Sequence, residues 1–277
     1  MEPREGTSSK APEPAAHDDP RVLALARLVG VVDRLRGPDG CPWDREQTLA
    51  SMAPRLLEEA YETLEAIDRG DDAATAEEAG DVLMVIALLA RIAQDDDRFD
   101  LARSASAIAE KLVRRHPHVF GDVRADSADA ALASWESVKR KEREGRQADA
   151  SALAGIPVAL PALQRARRVC EKAVAAGFRW SDASEAVAKI SEEERELMEA
   201  FAGDDRSRVE HELGDVLLAA AFAAAYLDLD PEGLCRDALR RFEARFRAME
   251  GALPKPLSSH SREALLAAWA KVKTAGT

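Results

Sequence analysis

The sequence predicts an all-α protein made of two tandem copies of one α-helical bundle, preceded by a disordered N-terminal tail. Three observations predict this fold. Alanine, the best helix former and a poor strand former, supplies about a fifth of the 277 residues. Apolar residues recur at spacings of three and four, and no stretch alternates strictly between apolar and polar residues. The acidic motifs of the first half also recur at one constant offset in the second half, the offset that carries Glu59 onto Glu193.

Two breaks in composition predict the domain boundaries. Residues 1–20 mix proline, serine, alanine and acids with little to bury, which predicts a disordered tail. Residues 144–157 lose the helical periodicity and contain two glycines and a proline, which predicts a linker. The expected helical domains are therefore 21–143 and 158–277.

Five helices are predicted in order along the first domain. Apolar stripes at helical spacing run from Val22 to Leu35 and from Leu56 to Ile67. Residues 82–92 are apolar nearly all round, which predicts a helix buried on most sides. The clusters 108–112 and 132–138 mark two further amphipathic helices.

The candidate metal ligands form one spacing that occurs twice. Each half contains Glu-x-x-Glu, then fifteen residues that include a turn, then Glu-x-x-Asp. Acids at i and i+3 share a helix face, and the turn predicts an antiparallel helix pair whose acids face each other. Clustered carboxylates repel unless a cation joins them, and all-oxygen ligation suits Mg²⁺ or Mn²⁺. The expected ligands are Glu59, Glu62, Glu78 and Asp81 in the first copy and Glu193, Glu196, Glu212 and Asp215 in the second.

Basic and aromatic residues at repeated positions are candidates for binding a phosphate-bearing substrate. Arg55 and Lys189 each lie four residues before the first glutamate of the metal motif. The other candidates are Lys111, Arg115, Trp135 and Lys139 in the first copy and Arg241, Arg245, Trp269 and Lys273 in the second. The tryptophans suit stacking on a nucleobase, and the basic residues suit phosphate. Solvated helix faces and core packing are the alternatives. His211 is predicted to point away from the Glu-x-x-Asp face.

Charge and composition exclude several classes of partner and site. The net charge of −12 argues against a general nucleic-acid surface. Three cysteines without C-x-x-C spacing argue against a disulfide framework or a thiolate zinc site. No secretory signal appears in residues 1–20, and the longest apolar stretches, 82–90 and 216–227, are shorter than the ~20 residues that a membrane span needs. We expect a soluble cytoplasmic protein that contacts neither membrane nor nucleic acid.

Several motifs together resemble the MazG family of nucleoside triphosphate pyrophosphohydrolases. In the first half these are GCPWDREQT, LLEEAYETLEAI, EEAGDVL and KLVRRHPHVFGD, at 40–48, 56–67, 77–83 and 111–122. In the second half they are LPALQRAR, HELGDVL and WAKVK, at 160–167, 211–217 and 269–273. The resemblance covers about residues 21–273.

The resemblance implies an all-α homodimer that uses Mg²⁺ to hydrolyse NTPs and dNTPs to nucleoside monophosphate and pyrophosphate, in nucleotide-pool housekeeping. It implies that the eight acids bind the metal. It also implies that the second copy carries most hydrolysis, with substrate contacts from Lys189, Arg241, Arg245, Trp269 and Lys273. The chain departs from the family pattern at Arg241, where lysine is usual, and at Glu194 and Arg195, where an apolar residue and an acid are usual.

Two other functions remain open from the residues alone. Glu59 or Glu193 is the expected catalytic carboxylate, which orients the attacking water while also ligating metal. A non-catalytic helical scaffold with acidic faces is the first alternative. A di-iron bundle is the second, although it normally places a histidine three residues from a glutamate and neither copy does.

Overall fold

The computed structural model describes residues 18–144, 151–253 and 256–275, and these contain helices and no strand. This confirms the predicted all-α class. The chain divides into two compact units, 1–146 and 147–277. Residues 1–17 of the predicted tail and 145–150 of the predicted linker lie outside the described residues. No helix in the described part is long and apolar enough to cross a membrane.

The first unit contains the five predicted helices and two short ones. In order they are α1 (Pro20–Arg36), α2 (Pro42–Glu46), α3 (Leu49–Arg69), α4 (Asp72–Asp95), α5 (Leu101–Arg115), α6 (Pro117–Phe120) and α7 (Ala128–Glu144). The main contact is the α3–α4 hairpin; α1 and α5 pack against α4, and α7 packs against α5.

The second unit repeats the hairpin. Its helices are α8 (Ala162–Ala175), α9 (Ala183–Ala202), α10 (Arg206–Tyr226), α11 (Pro231–Ala252) and α12 (Arg262–Ala275), with a short 3₁₀ turn at Leu257–Ser259. Helices α9 and α10 pair along their length, α8 packs against α10 and α11, and α12 packs against α11.

The two hairpin turns have the same construction at equivalent positions of the two copies. Each has one residue in the left-handed region, Gly70 (φ 68°) in the first turn and Asp204 (φ 52°) in the second. Glycine and aspartate are among the residues that adopt this conformation most readily. The next residue then caps the following helix: Asp71 accepts from the amide of Ala74 and Asp205 from that of Arg208. Local residues therefore specify the reversal that turns each acid pair toward the other.

The core of the first unit lies between α1, α3 and α4. It is built from Val32, Met52, Val85, Leu88 and Ile92, with partly buried leucines and a methionine around it. Among residues 82–92, Leu83 and Ile86 are exposed and the others are buried or half-buried, in agreement with the prediction of a helix that is buried on most sides.

The core of the second unit is made mostly of small side chains. Its buried apolar residues are Ala166, Cys170, Ala186, Ala200, Ala221, Ala223, Pro231 and Met249. Because alanine has no side chain beyond Cβ, helices can approach closely here, but each residue buries little apolar area.

Arg36 fastens the start of the α3–α4 hairpin to the rest of the first unit. Its side chain is 8% exposed, and its Nε lies 2.8 Å from Oδ2 of Asp95 at the end of α4. Its Nη1 donates to the carbonyls of Asp44 and Gln47, in and just after α2. One guanidinium thus joins α1, α2 and α4 immediately before α3 begins.

Candidate active site

The first acid cluster, Glu59, Glu62, Glu78 and Asp81, lies on the facing sides of α3 and α4. Carboxylate oxygens of Glu59, Glu78 and Asp81 lie within 4.8 Å of one another, as a shared metal ion requires. Glu62 lies outside this group of three, but its nearness raises the pKa of Glu59. The i,i+3 spacing and the hairpin together bring three of the four predicted ligands to one point.

The electrostatics of the first acid cluster favour added positive charge. Burial raises the pKa of Glu59, which is 3% exposed, and the nearby Glu62 and Asp81 raise it further, while Arg55 opposes these effects. Burial also raises the pKa of Glu78, together with the charges of Glu62 and Asp81. Such shifts mean that the ionised carboxylates are destabilised where they stand, and a bound cation would relieve this.

The second acid cluster, Glu193, Glu196, Glu212 and Asp215, lies at the equivalent place on α9 and α10. Oxygens of Glu193, Glu196 and Glu212 lie within 4.8 Å of one another. Asp215 lies outside this group and contacts His211, with 3.3 Å between Oδ2 and Nε2. The prediction that His211 points away from the Glu-x-x-Asp face is therefore wrong, because residues at i and i+4 share a helix face.

Cations contact three of the four acids in the second acid cluster. The ion pairs are Glu193 with Lys189 (3.2 Å), Glu196 with Arg195 (3.2 Å) and Glu212 with Arg208 (3.3 Å). In the first acid cluster, Arg55 pairs with Glu59 (2.8 Å), and Glu62, Glu78 and Asp81 have no ion pair within the described chain. Arg208 was not among the residues predicted from the sequence, although its i,i+4 spacing to Glu212 indicates this contact.

The structure brings three of the first copy's substrate candidates together between α5 and α7. The Lys139 ammonium lies 4.3 Å from the ring centroid of Trp135, and the Arg115 guanidinium carbon lies 5.4 Å from it. Arg115 also pairs with Glu142 (2.7 Å). Lys111 lies on α5, half-buried and with no ion pair in the described part. Two cations thus lie near the ring of Trp135, and one of them, Arg115, is already paired with a carboxylate.

In the second copy the equivalent candidates lie on α11 and α12. Trp269 packs against Phe242, with ring centroids 5.1 Å apart, so this ring is partly engaged in packing. Arg241, Arg245 and Lys273 form no ion pair among the residues described. In both copies, no hydrogen bond or ion pair given by the described structure joins these candidates to the acids, whereas Arg55 and Lys189 contact them directly.

The donor sets fit a hard divalent cation. Each group of three presents only carboxylate oxygens, with one member, Glu59 or Glu212, buried. Oxygen-only ligation favours Mg²⁺ or Mn²⁺ over zinc or copper. The three cysteines are free, and none is a member of either group.

Comparison with known proteins places both acid clusters within one family. The model of the MazG nucleotide pyrophosphohydrolase domain matches residues 47–120 and 182–247, about half of the chain. These two segments contain all eight acids. They also contain Arg55, Lys111, Arg115, Lys189, Arg241 and Arg245, but neither Trp135 and Lys139 nor Trp269 and Lys273.

Curated relatives match over most of their length. The nucleoside triphosphate pyrophosphohydrolase of Escherichia coli K12 is 43% identical over 229 residues, which are 82% of this chain and 87% of that protein. The nucleoside triphosphate pyrophosphohydrolase/pyrophosphatase MazG of Thermotoga maritima is 40% identical over 84% of this chain and 88% of its own. The crystal structure of a mazG-related protein from Thermotoga maritima aligns with 42% of this chain and 98% of its own, at 31% identity and a TM-score of 0.37. On the sequence matches, this chain belongs to the MazG nucleotide pyrophosphohydrolase family.

Proposed function

We propose that this chain hydrolyses nucleoside triphosphates, with ribose or deoxyribose, to nucleoside monophosphate and pyrophosphate, using Mg²⁺ or Mn²⁺ held by the acid clusters. The observation that carries the proposal is the convergence of three carboxylates on one point in each helical hairpin, within segments of the MazG domain. The named activity of the relatives supports the same reaction.

The reaction needs residues for three roles: holding the cation, activating the water and binding the substrate. The acid clusters hold the divalent cation, which when bound supplies positive charge to the phosphates. Glu59 or Glu193 orients the attacking water and accepts its proton as oxygen bonds to the α-phosphorus. The bond from the α-phosphorus to its bridging oxygen then breaks, and pyrophosphate carries away the electron pair.

The cations and tryptophans are proposed to bind the substrate. Arg55 and Lys189 contact the first glutamate of each metal motif, and this contact supports the proposal that they bind a phosphate beside it. Lys111, Arg115 and Lys139 in the first copy and Arg241, Arg245 and Lys273 in the second are proposed to bind the remaining phosphates. Trp135 and Trp269 are proposed to stack on the base.

A homodimer is the second part of the proposal. Large apolar side chains are exposed on both hairpins, including Leu57 and Ile86 in the first and Met198, Phe201 and Leu217 in the second. Exposed apolar surface of this kind marks an interaction face, and the family resemblance points to a second copy of the chain. Light scattering coupled to size exclusion should give twice the mass of a single chain.

The decisive test of the activity is product analysis with controlled metal. Each NTP and dNTP is incubated with the protein and Mg²⁺, and the products are separated by ion-exchange chromatography. We expect nucleoside monophosphate and pyrophosphate in equal amounts, no diphosphate, loss of activity with EDTA, and recovery with Mg²⁺. Full activity in the metal-stripped protein would contradict the proposed metal role, and no hydrolysis of any nucleotide would favour the scaffold alternative.

A further inference from the structure

The two acid clusters have the same four types of carboxylate but different surroundings, and we infer that this difference gives them different affinities for a divalent cation. The first acid cluster is the tight divalent-cation site of the chain. The second acid cluster is paired with three of the chain's own basic residues and binds the cation weakly. This inference rests on the proposed function, because it concerns the same acids. It adds that the two clusters differ in their affinity for a divalent cation.

Charge counting shows how large the difference is. In the first acid cluster, the four carboxylates meet one cation at ion-pair distance, Arg55, which also pairs with Glu58, so five acids and one cation leave four negative charges. In the second, the four carboxylates meet the three cations of the ion pairs described above, which also pair with Glu192 and Glu199, so six acids and three cations leave three negative charges. Both counts cover residues within the described chain.

The difference arises from a few positions on the two hairpins. When the copies are aligned so that the acids of their metal motifs coincide, Arg195 and Arg208 fall on Tyr61 and Ala74. The first copy therefore has no cation at either place. In the same alignment His211 falls on Glu77, so an additional acid of the first copy is also replaced. The second copy thus carries basic residues at positions that face its own acids.

A single glutamate holds both arginines near the second acid cluster. Glu199 pairs with Arg195 (2.6 Å) and lies 3.8 Å from Arg208. An arginine cannot release its proton to escape repulsion, because its pKa exceeds ~12. A divalent cation entering here must therefore displace two guanidinium groups or remain within a few ångströms of their charge. In the first acid cluster, the incoming cation replaces no ion pair at Glu62, Glu78 or Asp81 within the described chain.

The consequence runs against the family expectation. The resemblance implies that the second copy carries most hydrolysis, whereas the ion pairs assign the tight cation site to the first copy. The first copy also has its own candidate substrate-binding residues beside Trp135, so basic residues that could bind phosphate are present in the copy with the stronger cation site.

Direct cation binding tests the inference without relying on turnover. Mn²⁺ is titrated into the full-length, metal-free protein, and free Mn²⁺ is counted by electron paramagnetic resonance. Matched variants remove one charge from each cluster, Glu78→Gln in the first and Glu212→Gln in the second. We expect Glu78→Gln to weaken the tighter class of sites by at least about tenfold and Glu212→Gln to weaken it by less than about threefold. Equal losses, or the reverse order, would overturn the inference.

A second test exchanges the residues around the acids between the two copies and looks for stronger, rather than weaker, Mn²⁺ binding by the second copy. Arg195→Tyr with Arg208→Ala gives the second copy the first copy's residues, and in a Glu78→Gln background it should strengthen Mn²⁺ binding by about tenfold. Ala74→Arg should weaken the tighter sites of the otherwise unchanged chain. If the arginines serve only substrate phosphates, the double variant leaves Mn²⁺ binding unchanged and the inference fails. Pyrophosphate release by the wild-type chain separates the two claims, since its absence refutes the proposed function and leaves the Mn²⁺ pattern standing.

Discussion

Replacing the buried carboxylate Glu59 by glutamine tests whether the first acid cluster serves chemistry or folding. Glu59→Gln keeps the size of the side chain and removes its charge. Glu59 is 3% exposed and pairs with Arg55, whose Nε lies 2.8 Å from Oε1. Arg55 keeps a second partner after the change, because its Nη1 lies 2.8 Å from Oε2 of Glu58. The substitution therefore leaves no cation without a carboxylate.

The expected effect on stability is small, because two opposing contributions nearly cancel. Arg55 is half-exposed, and ion pairs with an exposed partner contribute at most ~1 kcal/mol. Against this, the variant removes a carboxylate whose ionised form is destabilised by burial and by neighbouring acids. We expect the free energy of unfolding of the metal-free protein to change by less than about 1 kcal/mol in either direction.

The expected effect on activity is much larger. Removing a group that organises charge in the transition state typically slows a reaction at least about 100-fold, equivalent to ~2.7 kcal/mol of barrier. The inference that the first acid cluster holds the cation tightly assigns this loss to Glu59. Pyrophosphate release with saturating NTP and Mg²⁺ measures the rate, and urea unfolding without metal measures stability.

The matched control is Glu58→Gln, which removes the same charge one residue earlier on α3. Glu58 is exposed and pairs with the same arginine, but it is not a member of the acid cluster. We expect this variant to keep activity within about threefold. If Glu59→Gln lowers the free energy of unfolding by several kcal/mol, the acid cluster supports the fold. If both variants lose activity equally, the effect comes from the general charge of α3 and not from the acid cluster.

Three further predictions concern the scaffold that positions the first hairpin. Arg36→Ala should lower the free energy of unfolding by about 1–2 kcal/mol, because it removes the ion pair with the partly exposed Asp95, which keeps Arg91, and leaves the Gln47 carbonyl without this donor; an unchanged urea midpoint would contradict this. Gly70→Ala should lower the free energy of unfolding by about 1–2 kcal/mol, because Gly70 has a left-handed backbone conformation. Gly30→Ala, in helix α1 with equally open space around it, should raise the free energy of unfolding by about 0.5–1 kcal/mol. Effects of the same sign in both variants would contradict this explanation. Two arginines of α5 lower the pKa of Glu142 from 4.5 to about 2, so its stabilising contribution is fully present above pH 4.5 and is lost as pH falls toward 2. The stability difference between wild type and Glu142→Gln should therefore shrink over that range, and a constant difference would contradict the assignment.

Much of the architecture could be read from local sequence. The amphipathic stripes, the turn at Gly70 and Asp71 and its counterpart at Asp204 and Asp205 predict the helices and hairpins, and the structure confirms them. These features depend on residues within a few positions of one another, so periodicity and turn chemistry are sufficient. The placement of acids on facing helices followed from the same reasoning, because i and i+3 share a face and a short turn makes neighbouring helices antiparallel.

The sequence by itself thus determined the helices, the two hairpins and which carboxylates lie near each other. Only the tertiary structure decided which three oxygens converge, leaving out Glu62 in one copy and Asp215 in the other, and which basic residues reach the acids. It also decided which residues of α4, a helix predicted to be buried on most sides, remain exposed: Leu83 and Ile86. The reason is physical: spacing selects a helix face, but the position of a charged or apolar side chain on that face depends on competing partners from other helices, and these become neighbours only when the chain has folded.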